Sequence, residues 1–442
     1  MHKNNVKMER FKIEELINWK NNASRKPLII KGARQVGKTW LMLEFAKRHF
    51  NNYVYVNFEE DTILQNIFIP DFDIERIKTA ISLRTHTDID DNTLLLFDEI
   101  QAAPRGITSL KYFCEKARNI PVIAAGSLLG ISMHSHDSFP VGKVDFIELY
   151  PMSFHEFLMA IGMGEYLNIL KKQEWKKITY IKDQLIQTLK LYYFVGGMPE
   201  VVSSYVENKN LEEVRRIQKN IILTYEHDFS KHAPAEQVPR IRIVWENIVG
   251  QLAKENKKFI FGVLKKGARA KEYELAIEWL KDAGLVYKVN RVKLGELPLS
   301  AYEDLACFKL FLLDVGLLSA MAKIKPETII KGNELFSTYK RALTEQFVFQ
   351  QIKDFADFIY YWSAENSIGE IDFLIQHNDI ITPVEVKAEE NLKARSLRAF
   401  VDKHNNMHGI RLSMSDFRIQ SWMTNFPLYA ITKNIFQAGS NN

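Results

Sequence analysis

The chain has few of the features that mark disulfide-rich, disordered or membrane-spanning proteins. Its two cysteines, Cys114 and Cys307, lie far apart among 442 residues, which excludes a disulfide framework and a cysteine zinc site. Only 20 glycines and 13 prolines leave little room for disordered arms. The most apolar later stretch, 308–322, is interrupted by Lys309 and Asp314, and the first residues lack an apolar signal region. We therefore expect an ordered, cytoplasmic protein with no membrane partner.

The chain also has little excess of one sign of charge over the other. The chain has 59 lysines and arginines against 54 aspartates and glutamates, a formal net charge of +5. Such a balance does not select a partner, so attraction to nucleic acid would have to come from local clusters. The length exceeds that of one ordinary core and predicts two to four domains.

Short apolar runs alternate with helical patterns in the first 150 residues, which is typical of parallel strands joined by helices. The candidate strands are 28–30, 53–58, 94–97, 122–125 and 144–149. Because the later runs are too continuously apolar to face water on one side, helices should cover both faces of the sheet. The predicted fold class is α/β.

A glycine-rich motif follows the first of these strands and precedes a helical pattern at 40–49. It consists of Gly32, Ala33, Arg34, Gln35, Val36, Gly37, Lys38 and Thr39, and it matches G-x-x-x-x-G-K-[ST]. Glycine lets main-chain N–H groups approach phosphate oxygens, and the positive end of the following helix adds to the attraction. Lys38 would contact the β- and γ-phosphates of ATP, and Thr39 would offer its hydroxyl to Mg²⁺. The alternative is a glycine turn in a basic loop.

Polar residues end two further strands, at the edge where α/β sheets place ligands. Asp98 and Glu99 follow the strand at 94–97, and Ser127 follows the strand at 122–125. Asp98 would hold the Mg²⁺ shell, while Glu99 would orient and deprotonate the attacking water. The alternative for this pair is an acidic strand end exposed to solvent. Ser127 would sense the γ-phosphate or hold the water, or else it satisfies local backbone groups.

The chain after residue 150 becomes mainly helical, and four domains are expected. Residues 1–165 would form the ATPase core, 166–238 a helical lid and connector, 239–297 a winged-helix-like module, and 298–442 a compact α/β domain. The third module shows three helical patterns before a strand-like stretch. Its basic residues fall where phosphate and groove contacts to DNA would lie; they are Lys265, Lys266, Arg269 and Lys271. The alternative is a solvated helix face.

Three segments together resemble the AAA-type ATPase domain of a bacterial and archaeal family of P-loop ATP-binding proteins. They are Gly-Ala-Arg-Gln-Val-Gly-Lys-Thr at 32–39, Leu-Leu-Leu-Phe-Asp-Glu-Ile-Gln at 94–101 and Ala-Ala-Gly-Ser at 124–127. The stretch 144–158 strengthens the resemblance. Members carry a C-terminal domain of unknown function, DUF4143, that resembles restriction endonucleases, so the resemblance covers most of the chain. Lys143 stands where the family often has arginine, which leaves the arginine finger unassigned.

The last domain carries a pattern similar to the D…E-x-K core of restriction-endonuclease-like enzymes. Asp372 precedes Glu385 by twelve intervening residues, and Lys387 follows; Glu345, on an upstream helical pattern, matches the family's additional helix acid. Glu385 and Lys387 lie two apart on a strand and share one face. Asp372 and Glu385 would share Mg²⁺, while Lys387 would position the water or steady developing charge. The alternatives are an amphipathic hairpin with solvated charges, or a nuclease-like fold used only for binding.

These observations predict Mg²⁺-dependent ATP binding and hydrolysis coupled to a nuclease-like, DNA-associated domain. The alternative is an ATP-controlled regulatory switch whose nuclease-like domain binds a partner without cleaving nucleic acid. The sequence leaves open whether the chain forms a homo-oligomer.

Overall fold

The computed structural model describes residues 8–127, 129–132, 139–253, 258–265, 267–331, 337–356, 358–364, 369–377, 379–390, 394–404 and 407–437. The α-helices are α1 Ile13–Asn21, α2 Lys38–His49, α3 Ile74–Thr85, α4 Gly106–Lys116, α5 Leu129–Ser132, α6 Phe154–Ala160, α7 Gly164–Lys171, α8 Trp175–Val195, α9 Pro199–Asn208, α10 Leu211–His232, α11 Val238–Leu252, α12 Phe261–Leu264, α13 Ala270–Asp282, α14 Val315–Met321, α15 Pro326–Lys331, α16 Ser337–Ile352, α17 Arg395–Lys403 and α18 Lys433–Gln437. Among the helices of these described ranges, none is long and apolar enough to cross a membrane.

The strands form two separate sheets. They are β1 Leu28–Lys31, β2 Tyr53–Asn57, β3 Leu94–Asp98, β4 Val122–Ala125, β5 Asp145–Glu148, β6 Val286–Val292, β7 Glu303–Leu312, β8 Phe358–Ser363, β9 Glu370–His377, β10 Ile380–Val386, β11 Gly409–Ser413, β12 Arg418–Ile419 and β13 Met423–Pro427. β1 to β5 make one sheet and β6 to β13 make the other.

The chain divides into two compact units. The N-terminal unit consists of Glu9–Pro151 and Asp282–Leu285. The C-terminal unit contains Met8, Met152–Lys281 and the described residues from Val286 onward. The segments expected to form a lid, a winged-helix module and a nuclease-like domain therefore belong to one unit.

The sheet of the N-terminal unit is parallel, with strand order β2-β3-β4-β1-β5. All five strands predicted from apolar runs are confirmed, with ends within one or two residues. Every residue of β3 is buried, as expected for a strand covered on both faces. The aromatic rings of Phe58 and Phe97 pack in the core beside it, with centroids 5.4 Å apart. Because the strands are parallel, the ends of β1, β3 and β4 open onto one edge, which carries the candidate site.

The C-terminal unit contains a mixed sheet with strand order β12-β13-β11-β10-β9-β8-β6-β7. Three helices, α11 to α13, precede the antiparallel pair β6–β7 in the order expected for a winged helix. However, β6 also pairs with β8 in parallel, through Arg291 with Tyr361 and Val292 with Trp362. The boundary expected between 297 and 298 therefore falls between β6 and β7, two strands that pair directly.

Buried glutamines on α16 form hydrogen bonds to α6, a helix expected in the ATPase core, and to α8, a helix expected in the lid. The side-chain oxygen of Gln351 accepts a hydrogen bond of 2.8 Å from the backbone N–H of Phe154, at the start of α6. Gln350 accepts from the N–H of Val315 at 2.9 Å and donates to the hydroxyl of Tyr192, on α8, at 2.9 Å. Buried polar groups need such partners, so α6 and α8 are fixed to the same core as α16.

Candidate functional site

The glycine-rich loop between β1 and α2 has the backbone conformation that its sequence suggested. Gly32, Gln35 and Gly37 have φ values of 148°, 65° and 94°. At Gly32 an added Cβ would lie 2.3 Å from the carbonyl oxygen of Leu149, so any other residue would force the backbone to move. α2 begins at Lys38, directly after the loop. The N-terminal N–H groups of α2 are thus available for an anion.

Arg10 braces this loop from outside the motif. It is only 5% exposed, and its guanidinium donates to the carbonyl oxygens of Val36 at 2.8 Å and Tyr150 at 2.5 Å. Charge-assisted bonds of this kind are stronger than neutral ones and hold both segments in register. Sequence analysis missed Arg10, because an isolated arginine ahead of the first strand carries no motif.

The ammonium of Lys38 is buried inside the loop. It is 6% exposed and donates to the carbonyl oxygens of Gly32 at 2.9 Å and Ala33 at 2.8 Å. Burial lowers the pKa of Lys38 to about 8, although the charges of Glu99 and Asp98 act in the opposite direction. An anion bound in the loop would compensate this buried charge.

Thr39 and Asp98, the two predicted magnesium-binding side chains, are in direct contact. The hydroxyl of Thr39 donates to Asp98 Oδ2 at 2.6 Å. Tyr55, on the neighbouring strand β2, donates to the same oxygen at 3.0 Å, and burial followed by the Asp98 charge raises the pKa of Tyr55. Sequence analysis missed Tyr55. A hydroxyl and a carboxylate oxygen placed together beside the loop fit the hard oxygen ligands that Mg²⁺ prefers.

Glu99 and Ser127 are also brought together, across β3 and β4. Glu99 Oε2 accepts hydrogen bonds of 3.2 Å from both the backbone N–H and the hydroxyl of Ser127, and another from the side-chain amide of Gln101. The other amide atom, Gln101 Oε1, has no hydrogen-bond partner among the described residues. An added Cβ on Gly126 would lie 1.9 Å from it, so the Gln101 side chain would have to move. Gln101 was missed, although it ends the quoted Asp-Glu-Ile-Gln segment.

The D…E-x-K residues lie on adjacent strands of the C-terminal unit. Asp372, on β9, accepts a hydrogen bond of 2.7 Å from the backbone N–H of Val386, on β10. Glu385 is 4% exposed, and its Oε1 forms an ion pair of 2.7 Å with the ammonium of Lys387. Its second oxygen, Glu385 Oε2, lacks a hydrogen-bond partner within the described ranges. The structure thus brings three of the four predicted side chains to one region of the sheet.

The fourth, Glu345, faces a buried lysine that sequence analysis did not connect with it. Lys309, on β7, has no exposed surface, and its ammonium lies 3.8 Å from Glu345 Oε2. The same ammonium is hydrogen-bonded to Glu370 and lies 4.7 Å from the centroid of the Tyr361 ring. Burial alone would lower the pKa of Lys309, but the carboxylates of Glu370, Glu345 and Asp372 raise it. The available signal was a lysine within the apolar stretch 308–322.

These carboxylates are not gathered as a metal site. In the part of the chain that the structure describes, no group of three or more histidine, cysteine, aspartate or glutamate side chains is placed to hold a metal ion. Asp372 binds a backbone N–H, Glu385 binds Lys387 and Glu345 faces Lys309. The donor set therefore does not fit a catalytic Mg²⁺ as arranged here.

The basic residues expected to contact DNA surround the start of α13. Lys265, Arg269 and Lys271 are exposed, while Lys266 lies outside the described residues. On its other side α13 is buried through a set of apolar positions, which are Ala276, Ile277 and Leu280. The helix therefore has both a packed face and exposed positive charges, which leaves both interpretations of these residues open.

Family models match three parts of the chain, and none of them covers half of it. Residues 24–158 match a model described as AAA domain. Residues 186–328 match a domain of unknown function, DUF8612, and residues 340–431 match a domain of unknown function, DUF4143. The DUF8612 match extends across the boundaries expected at 238 and 297, in agreement with their location inside one unit.

The chain is similar to proteins from several archaea and bacteria. An uncharacterized protein of Methanocaldococcus jannaschii is 24% identical over 381 residues, which cover 84% of this chain and 77% of that protein. The Walker-type ATPase of Pyrococcus abyssi has a TM-score of 0.45 at 13% identity, over 71% of this chain and 96% of that one. The RuvB Holliday junction branch migration motor of Thermotoga maritima has a TM-score of 0.30 at 12% identity, over 66% of this chain and 91% of that one. Thus residues 24–158 match an AAA domain, and the segments that follow match domains of unknown function.

Proposed function

We propose that the N-terminal unit binds ATP with Mg²⁺ and hydrolyses it. The glycine-rich loop at 32–39 is called the P-loop from here on. The observation that carries this proposal is that the P-loop lies beside Asp98, Glu99 and Ser127 at one edge of the parallel sheet. The AAA domain match to residues 24–158 supports it independently.

Each residue of the site has a distinct part in this proposal. The ammonium of Lys38 exchanges the carbonyl oxygens of Gly32 and Ala33 for phosphate oxygens, so its buried charge becomes paired. Thr39 and Asp98 would hold Mg²⁺, which neutralises phosphate charge when bound. Arg10 keeps the loop in the conformation that presents its N–H groups.

Glu99 is the proposed general base for the attacking water. Its Oε2 is held by Ser127 and Gln101, which fixes the orientation of the carboxylate. Oε1 is the oxygen that would accept the proton from water. A carboxylate next to the magnesium-binding Asp98, and not itself used as a ligand, is suited to this role.

Two substitutions test the ATPase proposal. We expect Lys38→Ala to weaken ATP binding at least about tenfold, because the buried cation that pairs with phosphate is lost. Glu99→Gln should retain binding but lower kcat by about a hundredfold or more, the contribution typical of a general base. Nucleotide affinity and phosphate release measure the two effects. Glu115→Gln, which alters an exposed partner of Lys143, is the control and should change neither. Normal turnover in Glu99→Gln would remove Glu99 from the mechanism.

For the C-terminal unit we propose a partner-binding role without nucleic-acid cleavage, so that the protein acts as an ATP-controlled switch. The buried Lys309 among the carboxylates supports this role. Nucleic acid is the proposed partner, because Lys265, Arg269 and Lys271 are exposed around the start of α13. Replacing these three residues by alanine should weaken DNA binding and reduce its salt dependence. If wild-type protein binds no DNA or RNA, the partner belongs to another class.

A Mg²⁺-dependent nuclease is the second candidate, because Asp372, Glu385 and Lys387 lie on or directly after adjacent strands. It is tested with single-stranded, duplex and branched DNA in Mg²⁺ or Mn²⁺, with and without ATP. We expect every substrate to remain intact. Cleavage that Asp372→Ala abolishes, while ATP hydrolysis persists, would establish the nuclease and reject the switch without cleavage.

A further inference from the structure

The sheet of the C-terminal unit contains a fully buried cation. Lys309 lies on β7, and burying its ammonium without compensation would be strongly unfavourable, because an ion loses its hydration on leaving water. Its described neighbours supply the compensation: Glu370 by a hydrogen bond, Glu345 at 3.8 Å and the face of Tyr361 at 4.7 Å. Two carboxylates and an aromatic face are a favourable environment for a cation.

The same neighbourhood contains the residues that a D…E-x-K enzyme would use for its metal. Glu345 is one of them, and the negative charge of Asp372 also acts on Lys309. Asp372 is engaged by the N–H of Val386, and Glu385 by the ammonium of Lys387. One oxygen of each of these three carboxylates is therefore directed at a backbone donor or at a lysine.

Charge counting shows what the removal of Lys309 would do. Glu345 and Glu370 lie at the Lys309 ammonium and the charge of Asp372 also acts on it, so this one cation faces three carboxylates. Glu385 is paired separately, with Lys387. Loss of the Lys309 charge would leave the three carboxylates without the cation that they share. Hard divalent cations such as Mg²⁺ and Mn²⁺ bind such oxygen groups.

We infer that the Lys309 ammonium is the resident cation of this cluster and excludes a divalent metal ion from it. The inference deepens the proposed non-cleaving function of the C-terminal unit, because it names the residue that keeps the D…E-x-K carboxylates free of metal. It also states what the cluster would bind if that residue were replaced.

The first test measures Mn²⁺ binding by electron paramagnetic resonance on the full chain without nucleotide. All proteins compared carry Asp98→Asn, which removes the proposed metal ligand of the N-terminal unit. With Lys309 present, adding Asp372→Asn should leave Mn²⁺ binding unchanged, because no metal occupies the cluster. Mn²⁺ binding that Asp372→Asn abolishes would overturn the inference, and this result requires no substitution of Lys309.

The second test replaces the cation itself. Lys309→Met, similar in length and uncharged, should gain one Mn²⁺ site at least about tenfold tighter than the background, and adding Glu345→Gln should remove the gain. Lys182→Met is the matched control, since Lys182 also bridges two carboxylates, at 3.1 and 3.2 Å, but these belong to the exposed residues Glu390 and Asp416. A folded Lys309→Met that gains no site, or an equal gain in Lys182→Met, would overturn the inference.

The inference and the proposed function fail in different ways. Mn²⁺ bound through Asp372 in a protein that leaves all DNA intact would overturn only the inference. DNA cleavage that depends on Asp372 would overturn the proposed function of the C-terminal unit. ATP hydrolysis is measured separately and bears on neither result.

Discussion

The buried ammonium of Lys38 would make the proposed nucleotide binding sensitive to pH. Its pKa of about 8 in the nucleotide-free protein lies below the ordinary value of 10.5. Holding this charge in the folded protein therefore lowers the free energy of unfolding. The whole of this loss is present below pH 8, and the loss disappears as the pH rises from 8 to 10.5. At pH 9 most Lys38 side chains are neutral, whereas bound phosphate favours the charged form.

We therefore expect ATP binding at pH 9 to take up nearly one proton, and binding at pH 6.5, where Lys38 is already charged, to involve no proton uptake at this side chain. Isothermal titration calorimetry in buffers of different ionisation enthalpy measures this number, with Mg²⁺ at constant excess so that the ionisation of the nucleotide contributes little. A binding enthalpy independent of the buffer at pH 9 would contradict the placement of a buried, partly neutral Lys38 at the phosphate site.

The contact between Ser127 and Glu99 gives a second prediction at the residue scale. The Ser127 hydroxyl donates to Glu99 at 3.2 Å, so it does more than satisfy local backbone groups. Ser127→Ala should lower kcat by about ten- to a hundredfold with little change in ATP affinity, since a hydrogen bond to a charged group contributes about 1.5–3 kcal/mol. Steady-state kinetics test this. Ser109→Ala, which removes a buried hydroxyl bonded to the carbonyl of Gly106, should affect stability but not turnover.

Residues predicted from sequence and residues missed by it differ in whether they belong to a short motif. The P-loop, Asp98 and Glu99 could be predicted because short motifs follow apolar strands. Arg10 contacts carbonyls 26 and 140 positions away, and Lys309 contacts Glu370 61 positions away. No local pattern encodes such pairs, because they exist only once the sheets have formed.

At the scale of elements, burial explains which strands the sequence revealed. β1 to β5 lie in a parallel sheet, and the strands buried on both faces are continuously apolar, so their ends could be predicted closely. β7 was not recognised, because its apolar run contains the buried Lys309 and is followed by Asp314. The pairing of Arg291 with Tyr361 also could not be predicted from the sequence. The register between two strands that are far apart in the chain depends on how the residues between them fold.

The anchoring of α6 in the C-terminal unit depends on a neutral histidine. His155 Nε2 lies 3.0 Å from the carbonyl oxygen of Tyr429, which makes this nitrogen the donor. Burial lowers the pKa of His155 to about 4 from its ordinary 6.5, although the hydrogen bond to Tyr429 acts in the opposite direction. Between these values the unfolded chain binds more protons, so the free energy of unfolding falls as the pH decreases from 6.5 to 4.

We expect His155 to account for a loss of about 2 kcal/mol between pH 7 and pH 5, from the difference between these pKa values. Denaturant unfolding at the two pH values measures it. His155→Leu should be less stable at pH 7 but should lose less stability on acidification than the wild type. Equal losses in both proteins would show that His155 is not buried as a neutral side chain.

At the scale of the whole molecule, the chain passes between the two units several times. One such passage is Asp282–Leu285, which belongs to the N-terminal unit, contains the last residue of α13 and directly precedes β6 of the C-terminal unit. Within the N-terminal unit, Gly284 lies against the P-loop, and an added Cβ would be 3.2 Å from the backbone nitrogen of Ala33. A movement of the loop on nucleotide exchange would therefore act on a segment covalently continuous with α13, which the proposed switch requires.

Gly284→Ala tests whether this segment and the P-loop are energetically linked. Gly284 has a φ of 71°, so alanine is strained there by about 1 kcal/mol wherever its side chain points. Gly142→Ala is a matched control, because Gly142 has the same φ of 71° and an added Cβ there meets nothing within 4 Å. We expect similar losses of stability in the two variants, but a several-fold weaker affinity for ATP only in Gly284→Ala, since Ala33 must shift and its N–H belongs to the proposed phosphate site. Fluorescent-nucleotide binding and denaturant unfolding measure the two quantities. If both variants bind ATP like the wild type, Asp282–Leu285 does not transmit the state of the P-loop, and any coupling between the units follows another route.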